Sequence, residues 1–278
     1  MEVFRSQGRY LRRNVCRQPV CDALRNQGLK LRELQAWNIG YHWKKWVDEP
    51  IRNPKNRFVL ETAITAEVDE ALKFMTRVAI DGGGFTAEDS LVELNYTVSY
   101  PGAEAQNVHA DISPLQNDDC PLATVWLALQ EVTLDMGPTE IWPASHILGK
   151  TILQQIPPNL IVPKLQSCSY SSDGTQEIGL DFNTSDEVDQ QNAEYMQALH
   201  ALLVSVQDNC EPEYMKLQVG DAVLMDCRVY HRGTANVSDT PRLLLNATFQ
   251  KHDVLPIRGF TYHIAPSARG RKIRDFIH

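Results

Sequence analysis

His109 and Asp111 stand two residues apart in Asn107-Val108-His109-Ala110-Asp111. On an extended backbone, residues two apart leave the same face, so an imidazole and a carboxylate can reach one metal ion. A third donor has to come from a distant part of the chain. His231, which ends the strand-like run Asp226-Cys227-Arg228-Val229-Tyr230-His231, is the candidate. Two imidazoles and one carboxylate form a facial set that leaves three neighbouring positions open, as a divalent iron needs in order to meet both a co-substrate and dioxygen. Eleven residues further on, Arg242 opens another strand on its polar face. A buried guanidinium presents a rigid fork of donors that matches a carboxylate, such as the distal end of 2-oxoglutarate. The alternative for Arg242 is an ion pair with an acid of the chain itself.

These residues need a frame that brings position 109 to position 231. Ile64, Val68, Ala71, Leu72, Met75, Val78 and Ala79 recur at helical spacing, and Gly82–Gly84 can end that helix in a left-handed conformation. The glycines have no GK[ST] after them and no strand before them, which argues against a phosphate loop. From Leu91 the period becomes two. Val92, Leu94, Tyr96 and Val98 alternate with polar residues, Val125, Leu127 and Leu129 form a second run, and Leu243, Leu245, Ala247 and Phe249 a third. Asp221–Asp226 and Val229–His231 read as further strand pieces. Turns at Pro101-Gly102, Gly137-Pro138, Gly220-Asp221 and Arg232-Gly233 break these runs, as expected for a mainly β fold of the double-sheet jelly-roll type. The strand pattern fades at about 149–215, where Ala193–Val206 reads as a helix within an acidic insertion long enough to be a lid or binding loop. A single domain over 1–278 follows, with a mainly helical part at 1–88, a β core at 91–251 and a C-terminal extension at 252–278.

In order along the chain stand Tyr100-Pro101-Gly102, His109-Ala110-Asp111, the strand Val125–Thr133, the segment Met136-Gly137-Pro138-Thr139-Glu140-Ile141-Trp142-Pro143-Ala144-Ser145-His146, Gly220-Asp221, His231 and Arg242. This series resembles the phytanoyl-CoA dioxygenase family of Fe(II)- and 2-oxoglutarate-dependent oxygenases, over about Leu91 to Lys251 apart from the insertion. The resemblance implies a double-stranded β-helix (cupin-like jelly roll), with His109, Asp111 and His231 as iron ligands and Arg242 as anchor of the co-substrate carboxylate. It also implies Thr139, Trp126 and Asn107 as candidates to line the 2-oxoglutarate site, with core or turn packing the alternative for each. The implied cofactors are Fe(II), 2-oxoglutarate and dioxygen. The implied reaction is oxidation, in the first instance hydroxylation, of a C–H bond in a small metabolite with release of succinate. Ala110 stands where family members often carry Gln, and Met136 and Ala144 where Asn and Gly are common. Asp111 argues against a halogenase of this family, in which a small residue replaces the carboxylate.

Among other candidates, Asn95, Tyr96 and Trp142 are possible pocket walls, with core packing the alternative. His146 reads as a turn-packing residue, while His42, His200, His252, His263 and His278 have no partner at metal spacing. The Trp-rich segment from Trp37 to Trp46 reads as packing or as a flap over the cleft. Cys16, Cys21, Cys120, Cys168, Cys210 and Cys227 form no CxxC pair and are expected to stay reduced.

The net charge of −8 is unevenly distributed. Residues 165–215 hold ten acids and no Lys or Arg, whereas residues 1–57 hold thirteen Lys or Arg against five acids. An acidic chain without a basic, aromatic-studded pattern argues against nucleic acid as partner, and no apolar run reaches the roughly 18 residues of a membrane span. The expected partner is a small-molecule substrate. A cytoplasmic setting is expected, with organellar targeting by the basic start as the alternative. Two rival functions share the fold: a non-catalytic metal- or ligand-binding jelly roll, and a cupin-like isomerase that turns over without oxygen.

Overall fold

The computed structural model describes residues 1–37, 55–114, 119–154, 168–170, 176–178, 201, 204–255, 257 and 264–277. In chain order the elements are α1 (Glu2–Gln7), β1 (Arg9–Arg12), α2 (Gln18–Trp37), β2 (Arg57–Glu61), α3 (Ala66–Gly83), β3 (Ser90–Ser99), β4 (Leu122–Ala128) and β5 (Thr139–Ile141). There follow α4 (Ser145–Leu153), β6 (Cys168–Tyr170), β7 (Gln176–Ile178), β8 (Glu213–Tyr214), β9 (Ala222–Asp226), β10 (His231–Gly233) and β11 (Arg242–Gln250). A six-stranded sheet runs β1-β9-β4-β11-β3-β2, and a three-stranded sheet runs β10-β5-β8. All their pairings are antiparallel.

Every residue of β4, β9 and β11 is buried, because the large sheet is covered on both faces. Val125 and Leu127 point toward α2 and α3 and join Leu72, Met75, Val78, Leu94, Val98, Leu243 and Leu245 in one apolar cluster. Trp126 and Ala128 point the opposite way, into a second cluster with Val223, Met225, Leu244, Ile141, Met215 and Leu217 between the two sheets. The alternation of the strands thus makes two cores from one sheet. This is the double-sheet jelly roll. Tyr96 belongs to the helix-side core, where its hydroxyl donates to Gln27 Oε1 at 3.3 Å, so it walls no space between the sheets. Asn95, one residue earlier, faces that space instead.

Helix α3 forms where the apolar spacing predicts it. Thr65 caps its start by accepting from Val68 N at 3.3 Å, Glu67 and Asp69 lie in the first turn, and Gly84 ends it at φ 67°. Its buried Val68, Leu72, Met75 and Val78 each stabilise the contact by roughly 2 kcal/mol. The stretch before residue 88 also supplies both edges of the large sheet, β1 beside β9 and β2 beside β3. These strands have four and five residues, too few for a period-two signature to stand out.

Within the insertion, β6 and β7 pair as a hairpin and residues 204–209 are helical. Most of the helix expected over Ala193–Val206 lies outside the described residues, as do His42, His200, His263, His278 and the Trp-rich segment beyond Trp37. Cys16, Cys21, Cys120, Cys210 and Cys227 are free thiols. No described helix is long and apolar enough to cross a membrane.

Ala144 enters α4 at φ 63° and ψ 0°, a left-handed backbone. A Cβ there costs roughly 1–2 kcal/mol, from which the greater freedom of an unfolded glycine subtracts roughly 0.5–1 kcal/mol. Ala144→Gly should therefore raise the unfolding free energy by about 0.5–1 kcal/mol in urea. A loss of stability instead would mean that the Ala144 methyl packs more usefully than its backbone strains.

Candidate metal centre

Residues 109 and 231 are joined through their backbones. His109 N–H donates to the His231 carbonyl at 3.0 Å and His231 N–H donates to the His109 carbonyl at 2.8 Å, an antiparallel bridge. Two residues on, the amides of Asp111 and Ile112 both donate to the Cys227 carbonyl, at 2.9 and 3.1 Å. The His-x-Asp segment is therefore fastened at both ends to the turn that leads into β10. The fastening places the donor atoms of His109, Asp111 and His231 within 4.8 Å of one another. His109 Nε2 lies 3.8 Å and His231 Nε2 3.9 Å from Asp111 Oδ1, separations that a single ion can draw together.

The other nitrogen of each ring decides which one faces the carboxylate. His109 Nδ1 lies 2.8 Å from the Asn107 carbonyl, and His231 Nδ1 lies 3.0 Å from the Val229 carbonyl. A carbonyl only accepts, so each Nδ1 is the nitrogen that donates, and each Nε2 is the one turned toward Asp111. The rings stand 4.5 Å apart at 50°, and the Trp126 ring backs His231 at 5.8 Å. His231 is buried while His109 and Asp111 are half-buried, so the set is walled on one flank and open on the other. The Asn107 side chain is exposed; what this residue offers the site is its carbonyl.

Strand β10 is itself held in place. His231 pairs with Ile141 of β5, Trp142 N–H donates to the Tyr230 carbonyl at 3.0 Å, and Tyr230 N–H donates to Ser145 Oγ at 2.9 Å. The Pro-Ala-Ser-His segment thus acts through its serine on the strand that carries His231. His146 Nε2 meets the Arg5 carbonyl at 3.1 Å, and burial lowers the pKa of this ring, so it stays neutral and packs the turn. Trp142 packs with Val206 and Tyr230 beside Val108 and Ala110. His252 holds the buried Asp89 at 2.8 Å and stands apart from the metal set. Thr139 is buried opposite Gly233 in β10, and no described residue takes a hydrogen bond from its hydroxyl.

Arg242 lies in a cross-strand row with Ser99 of β3 and Arg57 of β2. Only 1% of Arg242 is exposed. It donates to the Gly137 carbonyl and, at 3.2 Å, to Ser99 Oγ, while its Nε is buried without a partner. No acid among the described residues pairs with it, so the ion-pair alternative is not realised. Burial, with Arg57 beside it, lowers its pKa to about 9. Gly233, against which Arg57 packs, lies two positions beyond His231, roughly 7 Å along the strand. Further along the same inner face, Asn246 Nδ2 donates to Asn95 Oδ1 at 2.9 Å, and Trp126 stands opposite Asn246. Arg57 was not a sequence candidate, for a lone arginine at the start of a short strand carries no motif. Its signal is the register with Ser99, which exists only in three dimensions.

The sequence matches the family described as Phytanoyl-CoA dioxygenase (PhyH) over residues 4–244. No curated protein matches it. Among solved structures it is similar to SnoK, a non-heme alpha ketoglutarate dependent carbocyclase from nogalamycin biosynthesis. The identity there is 17% and the TM-score 0.55, with 91% of this chain and 83% of that one covered. It is also similar to the epimerase SnoN from the same biosynthesis, solved in complex with Fe3+, alpha ketoglutarate and nogalamycin RO. That comparison gives 14% identity and a TM-score of 0.53, covering 96% of this chain and 94% of that one. The non-heme monooxygenase ThoJ gives 17% identity and a TM-score of 0.53, covering 92% of this chain and 78% of that one. At such identities the likeness establishes the jelly-roll fold. The family match goes further: this chain belongs to the phytanoyl-CoA dioxygenase family, whose enzymes depend on Fe(II) and 2-oxoglutarate.

Proposed function

We propose that this chain is a dioxygenase that oxidises a C–H bond of a small organic metabolite, by hydroxylation in the simplest case, while 2-oxoglutarate is converted to succinate and carbon dioxide. One observation carries the reading. A His/Asp/His set whose imidazoles both turn Nε2 toward the carboxylate stands roughly 7 Å along one strand from a corner where a buried arginine has no acid among the described residues to neutralise it. That separation suits a short dicarboxylate held at both ends.

His109 Nε2, His231 Nε2 and an Asp111 oxygen would hold the iron, and their donor chemistry fits it. Bound Fe(II) would supply oxygen activation coupled to decarboxylation of the co-substrate. Arg242 would fork the distal carboxylate, and the Thr139 hydroxyl is free to add a hydrogen bond nearby. Trp126 would fix the His231 ring and wall the pocket on that flank. The half-buried flank of His109 and Asp111 would receive the substrate, and the cluster of Trp142, Val206 and Tyr230 with Val108 and Ala110 would keep water from it. The reading takes residues 1–278 as one oxygenase domain, since β1 and β2 complete the sheet that carries Arg242.

With Fe(II), air and candidate metabolites, the protein should release succinate from 2-oxoglutarate, and Asp111→Ala should reduce that release to background. If no substrate elicits succinate and 2-oxoglutarate leaves the absorbance of the anaerobic Fe(II) protein unchanged, the chain is a binding protein. A second outcome follows because no acid among the described residues pairs with Arg242. Arg242→Met should change the stability of the ligand-free protein by no more than about 1 kcal/mol, or raise it, because no buried acid loses its partner. A loss of about 3–5 kcal/mol in urea unfolding would reveal a broken buried ion pair.

A further inference from the structure

The inner face of the large sheet is divided by charge. At one end lies the row of Arg57, Ser99 and Arg242. Four residues further along β11, the register sets Asn246 beside Trp126 of β4 on one side and Asn95 of β3 on the other, and Asn95 beside Glu61 of β2. The next row on the same face holds Thr124, Thr248 and Glu93. From β4 toward the β2 edge neither of these two rows carries a Lys, Arg or His, and each ends in a half-buried carboxylate.

The hydrogen bonds within these rows run toward the acids and leave one acceptor over. Thr248 Oγ1 donates to Glu93 Oε2 at 2.7 Å, so the Thr124 hydroxyl is the donor in its 2.8 Å bond to Thr248. Asn246 Nδ2 uses both of its protons, on Asn95 Oδ1 at 2.9 Å and on Thr97 Oγ1 at 2.5 Å. Asn246 Oδ1 is then buried without a partner, on a residue only 8% exposed. A buried amide oxygen left unpaired is costly, and a ligand that brings a donor removes the cost. Asn246 stands one strand spacing, roughly 5 Å, from Trp126. The Trp126 ring is in turn 5.8 Å from that of His231, so a small molecule held at Asn246 extends toward the metal set.

We propose that these two rows anchor the organic substrate, and that Asn246 Oδ1 accepts a hydrogen bond from an amine or hydroxyl group on it. The inference rests on the oxygenase reading given above and adds the substrate class. Asn246 Oδ1 and the carboxylates of Glu61 and Glu93 are acceptors, which match a donor and repel a substrate carboxylate. The division of the face then sorts the two ligands. The dicarboxylate is drawn to the end that holds Arg242, and a substrate rich in donors to the end that holds Asn246.

The test adds matched ring compounds to the anaerobic Fe(II) protein in the presence of 2-oxoglutarate: cyclohexylamine, cyclohexanol, cyclohexanone and cyclohexanecarboxylate. Binding is followed by thermal melting and by the absorbance of the iron. The wild type should hold the amine and the alcohol about tenfold more tightly than the ketone, the worth of one hydrogen bond, and the carboxylate least of all. The amine ahead of the alcohol identifies the anchored group as an ammonium, and the reverse order identifies it as a hydroxyl. Asn246→Leu should level the alcohol with the ketone, and Asn246→Asp should shift the preference toward the amine. A ketone or carboxylate bound as well as the alcohol, a leucine variant that keeps the preference, or uptake of none of the probes overturns the proposal and leaves the oxygenase reading intact. A wild type that takes up no 2-oxoglutarate overturns that reading instead. If neither variant folds, a crystal structure of the wild type with cyclohexylamine or cyclohexanol decides. A nitrogen or hydroxyl within about 3.2 Å of Asn246 Oδ1 supports the proposal, and a probe seated elsewhere overturns it.

Discussion

The mutual hydrogen bonds between the backbones of His109 and His231 close a loop on the order of a hundred residues, and such a closure carries an entropy cost that two hydrogen bonds cannot offset. The sheets meet that cost. β3 pairs with β11, β11 with β4 and β4 with β9, so the segments before and after the loop are already side by side when residue 109 reaches residue 231. The bridge then acts locally. It sets two side chains on one face, and the double hold of the Cys227 carbonyl on Asp111 and Ile112 turns the carboxylate toward them. The donor set is consequently a product of strand pairing.

Charge follows the same geometry. The inner face of the large sheet is apolar where it meets the small sheet, through Trp126, Ala128 and Leu244, and polar beyond, through Asn95, Asn246 and the row of Arg57, Ser99 and Arg242. An apolar core could have filled this row at lower cost. No acid among the described residues pairs with either guanidinium, and under the proposed function a bound carboxylate would both neutralise Arg242 and, by binding only the folded protein, stabilise it. Elsewhere among the described residues, buried charges find partners of opposite sign within the chain, as Asp226 with Arg228 and Glu140 with Arg232.

Much of the site was legible in the sequence, for reasons that differ by residue. His109 and Asp111 announce themselves by a two-residue spacing that only an extended segment uses, and Arg242 by its distance from His231 at the start of an apolar strand. The strands β3, β4 and β11 are long enough for their alternation to show, which is why the jelly roll was legible as well. Short elements escape such reading: β1 and β2 are recognised as sheet edges only by their partners. Arg57 escapes for the same reason, since its meaning comes from facing Ser99 across β2 and β3. Asn107 shows a different limit. Its position beside the metal segment is evident from sequence, but its contribution passes through a carbonyl, which residue identity does not encode. Tyr96 shows a third, because alternation tells which residues share a face and only packing tells which face is the inner one.

The central claim is that His109, Asp111 and His231 converge on one ferrous ion. An anomalous-difference map from crystals grown anaerobically with Fe(II) and 2-oxoglutarate measures this directly. The account predicts a single strong peak at roughly 2.2 Å from Nε2 of both histidines and from a carboxylate oxygen of Asp111, with the distal carboxylate of the co-substrate directed at Arg242. A peak elsewhere, a peak bound through Nδ1 of either ring, or a co-substrate that turns its distal end away from Arg242 would contradict it.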